Sequence, residues 1–162
     1  MALTPDMIDF LAAGVSHQVG GCSHAGRPTL CRGLAAQVEP DGRLLVILSA
    51  ESGFEVLDAV RETGRVAVNF TLPETYKSIS LLGRDAEVSP AGSGFGALIR
   101  DRYEKFTAQL AGHGIPPSYT EAWYLRPDDD LVAIRFTPYS ARNQTPGPEA
   151  GAALALSGGD KP

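Results

Sequence analysis

Short apolar runs broken by glycine, proline and polar clusters dominate this chain, and helical spacing is confined to a few stretches. Thr4-Pro5-Asp6 reads as a helix start: a hydroxyl N-cap, Pro at the first helical position, and an acid near the positive end of the dipole. Met7, Ile8, Leu11 and Ala12 follow at helical spacing, and Gly14 closes the segment. Residues 15–21 and 28–38 then read as strands joined by the polar turn Ser23-His24-Ala25-Gly26-Arg27. Asp41-Gly42 is a hairpin signal, and Leu44-Leu45-Val46-Ile47-Leu48 is too uniformly apolar for a strand with one wet face. That strand is expected in the core.

Ser52 and Glu55 have capping-box spacing, which predicts a helix that turns Phe54, Leu57, Ala59 and Val60 inward and ends at Gly64. Residues 65–70 follow as a strand. After Pro73, residues 76–88 predict a single strand interrupted at Gly83, read as a bulge. Phe95, Leu98, Ile99, Phe106 and Leu110 share one face of a helix over 95–110. A loop over 112–118 leads to a final strand at 131–137. Beyond Pro138 the chain turns to Gly, Ala, Pro and Ser, and its last dozen residues are expected to be unstructured. Strands joined by hairpins, with few intervening helices, exclude a doubly wound parallel sheet and predict a closed or nearly closed antiparallel barrel, mainly β with flanking helices.

At 162 residues, with 43% hydrophobic and 20% charged, the chain is expected to be one domain over 1–142 followed by a tail over 143–162. It is long enough to need no disulfide or metal staple. A formal charge of -5, from 14 basic and 19 acidic residues, speaks against general nucleic-acid binding. The N-terminus lacks a signal-peptide pattern and no run approaches a membrane span, so a cytoplasmic location is expected, with Cys22 and Cys31 as free thiols. His17, His24 and His113 have no Glu or Cys at ligand spacing, so no metal is expected.

The motifs occur in a telling order. Gly26-Arg27-Pro28, the Asp41-Gly42 hairpin, the apolar strand, a Ser/Gly turn and helix, Gly64-Arg65-Val66-Ala67-Val68-Asn69-Phe70, and a strand to Gly83 resemble the FMN-binding split β-barrel family of pyridoxamine 5'-phosphate oxidase. The resemblance spans residues 4–151, and residues 143–151 look like the tail of a little-characterised subgroup. It implies an antiparallel split β-barrel, a homodimer with flavin sites lined by both subunits, FMN as cofactor, and oxidoreductase activity on a small molecule. The matching positions are Cys31, Arg32, Gly33 and Leu34 on the second strand; Leu48, Ser49 and Ala50 at the end of the third; Ser52, Gly53 and Phe54 in the turn; and Lys77, Ser78 and Ile79 on the later strand. Oxidase members carry a Ser-Arg-Lys turn whose cations hold the FMN phosphate, whereas this chain has Ser52-Gly53-Phe54-Glu55, and Ala36 stands where a basic residue closes the second strand. These departures speak against pyridoxamine phosphate oxidation itself. They leave a non-catalytic binding or sensory role, with flavin, deazaflavin or haem, as the alternative.

The residues offer further candidates. Arg32 and Lys77 are the best phosphate contacts, as a bidentate fork and a point charge. Ser49, Ser52 and Gly53 precede a helix whose free N–H groups favour an anion, although Ser52 and Glu55 also explain a plain N-cap. Tyr76, Trp123 and Tyr124 suit stacking on a flavin ring or closing a pocket, although aromatics on strands and helix ends more often serve core or interface packing. His24 beside Cys22 is a possible acid–base or redox pair, Cys31 suits a core position, and Asp128-Asp129-Asp130 reads as a hairpin tip. No catalytic base is identifiable.

Overall fold

The computed structural model describes residues 2–91 and 94–157. Its elements are α1 (Pro5–Leu11), β1 (Ser16–Cys22), β2 (Pro28–Val38), β3 (Leu44–Ser49), α2 (Ala50–Thr63), β4 (Val66–Thr71), β5 (Ser78–Gly83), β6 (Glu87–Pro90), α3 (Phe95–Ala111), α4 (Pro117–Tyr124), β7 (Leu131–Phe136), β8 (Ser140–Asn143) and β9 (Ala153–Leu154). The strands form one antiparallel sheet in the order β6-β7-β3-β2-β1-β4-β5-β8-β9. This is the α+β split barrel that the sequence predicts, but among the described residues the ladder does not close on itself, and β6 and β9 form its edges.

Strand alternation sends one set of side chains to each face of the sheet. Val19, Ala36, Val46, Val68, Phe70, Leu81 and Phe136 face the barrel interior, which α1 and α2 close with Phe10, Leu11, Val56, Leu57 and Val60. On the outer face, Leu34, Ala35, Leu45, Ile47 and Ala133 meet Ile99, Phe106 and Tyr124 of the α3–α4 hairpin in a second core. A bulge in β2 between Gly33 and Ala35 puts Leu34 and Ala35 together on that side. β3 thus lies between two cores, and all six of its residues are buried, as its apolar run predicts.

Several expectations need correction. Helix α2 starts at Ala50, with Ser49 rather than Ser52 as N-cap, accepting from the Ser52 N–H at 3.1 Å. The earlier start sets the buried stripe at Gly53, Val56, Leu57 and Val60, so Phe54 is exposed. Residues 76–88 form two strands on different parts of the sheet, β5 beside β4 and β6 beside β7. Gly83 is no bulge; a Cβ there would lie 2.4 Å from the Phe136 ring, so it is a close-packing glycine. The 112–118 loop runs directly into α4. Asp128–Asp130 forms a 3-10 turn between α4 and β7. The tail does not lie loose up to residue 157. It pairs as β9 on β8, and Ser157 bridges Ala2. Its small residues satisfy their backbone groups by docking on an edge strand. Residues 158–162 lie outside the described residues.

Candidate functional site

Among the described residues, no helix other than α3 and α4 covers the outer face of β2, β1, β4, β5 and β8. Directly paired residues share a face, and the register therefore draws a polar row across five strands: Arg32, Gln18, Asn69, Ser80 and Arg142. Asn69 Nδ2 donates to Gln18 Oε1 at 3.3 Å and to Thr71 Oγ1 at 3.1 Å, and the Thr71 and Ser78 hydroxyls lie 2.8 Å apart. Hydrogen-bonded side chains of this kind hold a sheet surface rigid and ready for a polar ligand.

Where this row meets the α3–α4 hairpin there is a cavity of about 440 Å³. Ser16, Gln18, Arg32 and Thr71 form its sheet side, Phe106, His113, Tyr119 and Trp123 its helical wall, and Tyr76 part of its rim. The Arg32 guanidinium lies 4.5 Å from the centre of the Trp123 ring and 5.9 Å from that of Phe106. Its Nη1 is buried without an acceptor. Tyr119 packs edge-on to Trp123 at 5.1 Å. Tyr76 is 63% exposed and holds a left-handed φ of 58°, a conformation that a bulky side chain adopts only under constraint.

The surroundings of Arg32 are polar but short of partners. Tyr124 is buried with its hydroxyl beside Arg32 but outside hydrogen-bond geometry, and burial pushes its phenol up to about 12 against the charge and close contact of Arg32. His17, on the inner side of β1, is wholly buried, and neither ring nitrogen has a partner. Burial first, then the charges of Arg102 and Arg32, lower its pKa from 6.5 to about 3, so it stays neutral. Its imidazole sits edge-on to Phe70, with ring centres 5.5 Å apart.

The residues singled out from sequence are spread over the fold. Arg32 lies in the cavity, and Ser78 touches it through Thr71. Leu34 is buried under the helices, while Leu48 and Ile79 are in the barrel core. Cys31 packs beneath α2 beside Gly53, and burial raises its thiol to about 11, which keeps it protonated and unreactive. Gly33 allows His17 to approach, since a Cβ would lie 2.9 Å from that of His17. Lys77 is not with Arg32: its Nζ sits 5.0 Å from the ring centre of Phe10 in α1. The start of α2, with Ser49, Ala50 and Ser52, is occupied by the protein's own anion, because Asp130 Oδ1 accepts from the Glu51 N–H at 2.8 Å. Phe54 lies exposed on the far side of that helix.

Sequence reasoning did not single out Ser16, Gln18, Asn69, Thr71, Phe106 and Tyr119. The signal was present in the alternation Val68-Asn69-Phe70-Thr71, whose polar members mark a strand face with a different task from the core.

No family model matches the sequence, and no curated protein matches it. Solved structures do. HupZ of Group A Streptococcus superposes with a TM-score of 0.55 at 16% identity, covering 92% of this chain and 99% of its own. A pyridoxamine 5'-phosphate oxidase-related, FMN-binding protein of Nostoc punctiforme gives 0.51 at 15% identity, covering 88% and 86%. An F420 reductase gives 0.51 at 12% identity, covering 82% and 93%. At such identities the likeness speaks for architecture, and together with the strand order above it establishes that this chain has the split-barrel fold of the pyridoxamine 5'-phosphate oxidase-like proteins.

Proposed function

We propose that this protein binds FMN in the cavity beneath Trp123 and works as an oxidoreductase on a small substrate. One observation carries the reading: Arg32 is held against Trp123 and Phe106 with one guanidinium nitrogen buried and unpaired. A buried donor without an acceptor is costly, and a bound phosphate or ring carbonyl would satisfy it. The volume falls within the usual ~300–1,000 Å³ of a small-molecule site, and Trp123, Tyr119 and Tyr76 offer flat surfaces to a ring. When bound, the flavin supplies hydride transfer; the chain positions it and excludes water. Gln18 and Asn69 present fixed donors and acceptors to a heteroaromatic edge.

A homodimer belongs to this proposal. The open face of β1, β4, β5 and β8, with Leu30 72% exposed beside it, is left bare by the chain's own helices. A second copy laid there would wall the cavity and exclude water from it. The deazaflavin of F420 is the second candidate ligand, since a reductase for it shares the fold and its tricyclic ring makes the same demands on the aromatic wall.

Trp123 is the sole tryptophan, so ligand stacking reports directly on it. FMN is expected to quench its fluorescence saturably, and Arg32→Gln to weaken binding roughly ten- to hundred-fold, for the loss of a charged contact of ~1.5–3 kcal/mol. Lys77→Gln is expected to bind as wild type. Failure of both FMN and F420 to quench Trp123 would refute the flavin reading.

A further inference from the structure

Among the described residues, Tyr76 is the one residue other than glycine that holds a positive φ. Glycine takes that conformation without strain, whereas a bulky side chain does not. Such strain persists where the surrounding structure enforces it, and packing of the side chain is the usual offset. The Tyr76 ring has no such offset, because it stays largely exposed. A tyrosine therefore stands at a turn position that favours glycine, and the free protein gains nothing in return.

The turn that carries it is tied down. The Tyr76 N–H donates to the Leu72 carbonyl and the Leu72 N–H to the Lys77 carbonyl, both at 2.9 Å. The Ser78 hydroxyl donates to the Tyr76 carbonyl at 3.0 Å. Its single proton is thereby committed, so in the 2.8 Å contact with Thr71 the Thr71 hydroxyl is the donor. Thr71 Oγ1 accepts in turn from Asn69 Nδ2 at 3.1 Å. One directed run of hydrogen bonds thus leads from the polar row to the strained carbonyl. Ser78 is buried behind this turn, whereas Thr71, Pro73 and Tyr76 line the Arg32 cavity together with Tyr119 and Trp123 of α4.

We propose that Tyr76 is the specificity-determining residue of the Arg32 cavity, and that Ser78 positions it. The tied turn holds the phenol ring at the rim, where it covers a flat aromatic ligand lying against the α4 wall. Contact with such a ring offsets the strain; a ligand without one gains nothing from Tyr76. The proposal rests on the ligand reading above and adds to it the residue that selects a planar ring. A second copy on the open face walls this cavity without filling it, so the contact is compatible with the dimer.

The test is equilibrium dialysis of FMN and of riboflavin, which shares the ring but lacks the phosphate. Wild type is expected to bind both. Tyr76→Phe keeps the ring and should bind within about twofold of wild type. Tyr76→Ala should weaken both ligands equally, by roughly five- to hundred-fold, as loss of a stacking contact does. Ser78→Ala should weaken both as well, but should change nothing further when Tyr76 is already Ala. In the free protein, Tyr76→Gly should melt about 2–4 °C above Tyr76→Ala, since the two differ in backbone strain and not in the ring. If wild type binds flavin and Tyr76→Ala binds it within about twofold, the proposal is overturned while the ligand reading stands. A loss confined to FMN, or a Ser78→Ala loss that is the same with and without Tyr76, overturns it equally. Binding of neither flavin by wild type would overturn it together with the FMN assignment.

Discussion

Lowering the pH charges His17 where the fold cannot accommodate a charge. The imidazole is fully buried on β1, faces Phe70, and feels Arg102 from α3 and Arg32 from β2. Its pKa falls from 6.5 to about 3 on folding. A depressed basic group binds its proton more tightly in the unfolded chain, so the neutral form's contribution is intact above about pH 6.5 and is lost as pH falls toward about 3. At ~1.36 kcal/mol per pH unit, the loss is about 2 kcal/mol between pH 7.5 and 5, and about 4 kcal/mol by pH 3. The carboxylates that fold below their ordinary 3.8, Asp85, Asp101 and Asp130, contribute to acid destabilisation only below about pH 4, so the upper window belongs to His17. Urea unfolding at pH 7.5 and 5 measures the difference. His17→Leu, close in volume and free of unpaired nitrogens, should retain its stability across that interval. Equal losses in the variant and the wild type would refute the assignment.

Further substitutions test the packing and capping. Gly83→Ala should destabilise by roughly 1–3 kcal/mol, because the new Cβ would lie 2.4–2.9 Å from Phe136 atoms that include the backbone-anchored Cβ. Gly20→Ala, with room for a methyl group, should be neutral or gain a few tenths of a kcal/mol, and thermal melting separates the two. Asp130→Ala should cost about 1 kcal/mol at pH 7, since it removes the acceptor of the Glu51 N–H at the positive end of α2. Burial raises the Asp130 carboxyl, but the Ser49 hydroxyl and the Glu51 and Ala50 amides outweigh this and bring it below 3.8. The Asp130→Ala deficit should therefore persist at pH 5 and shrink only as pH falls through the folded value. Denaturant titrations at pH 7, 5 and 3 check this.

Local signals carried most of the fold. Thr4 caps α1 through the Met7 N–H, Gly64 ends α2 with φ 64°, and the β3 run is buried throughout because it separates two cores. What local signals missed was set by partners distant in sequence. Residues 76–88 look continuous, but Gly83 packs on Phe136 and the chain then crosses to the far edge of the sheet. The α2 cap moved to Ser49 because Asp130, 79 residues from Glu51, completes that helix end. The site was legible at Arg32 and Trp123, whose chemistry shows in any context. Gln18, Asn69 and Thr71 become visible only when the register sets three strands side by side.

The occupied end of α2 decides where an anion can bind. A helix N-terminus attracts a phosphate when its first N–H groups are free. Here Ser49 takes the Ser52 N–H and Asp130 takes that of Glu51, while Glu51 and Glu55 add negative charge to the first turns. Arg126, 3.8 Å from Glu51, neutralises part of this but is already paired. A phosphate arriving there would displace a carboxylate and meet two more. Among the described residues, several cations without carboxylate partners stand instead on the sheet's outer face, with Arg32 at one end and Arg65 and Arg84 at the other. The absence of a basic turn is therefore consistent with anion binding by this chain, provided that binding has moved from the helix to the sheet. Phosphate affinity should then follow substitutions at these arginines and be indifferent to Ser52→Ala.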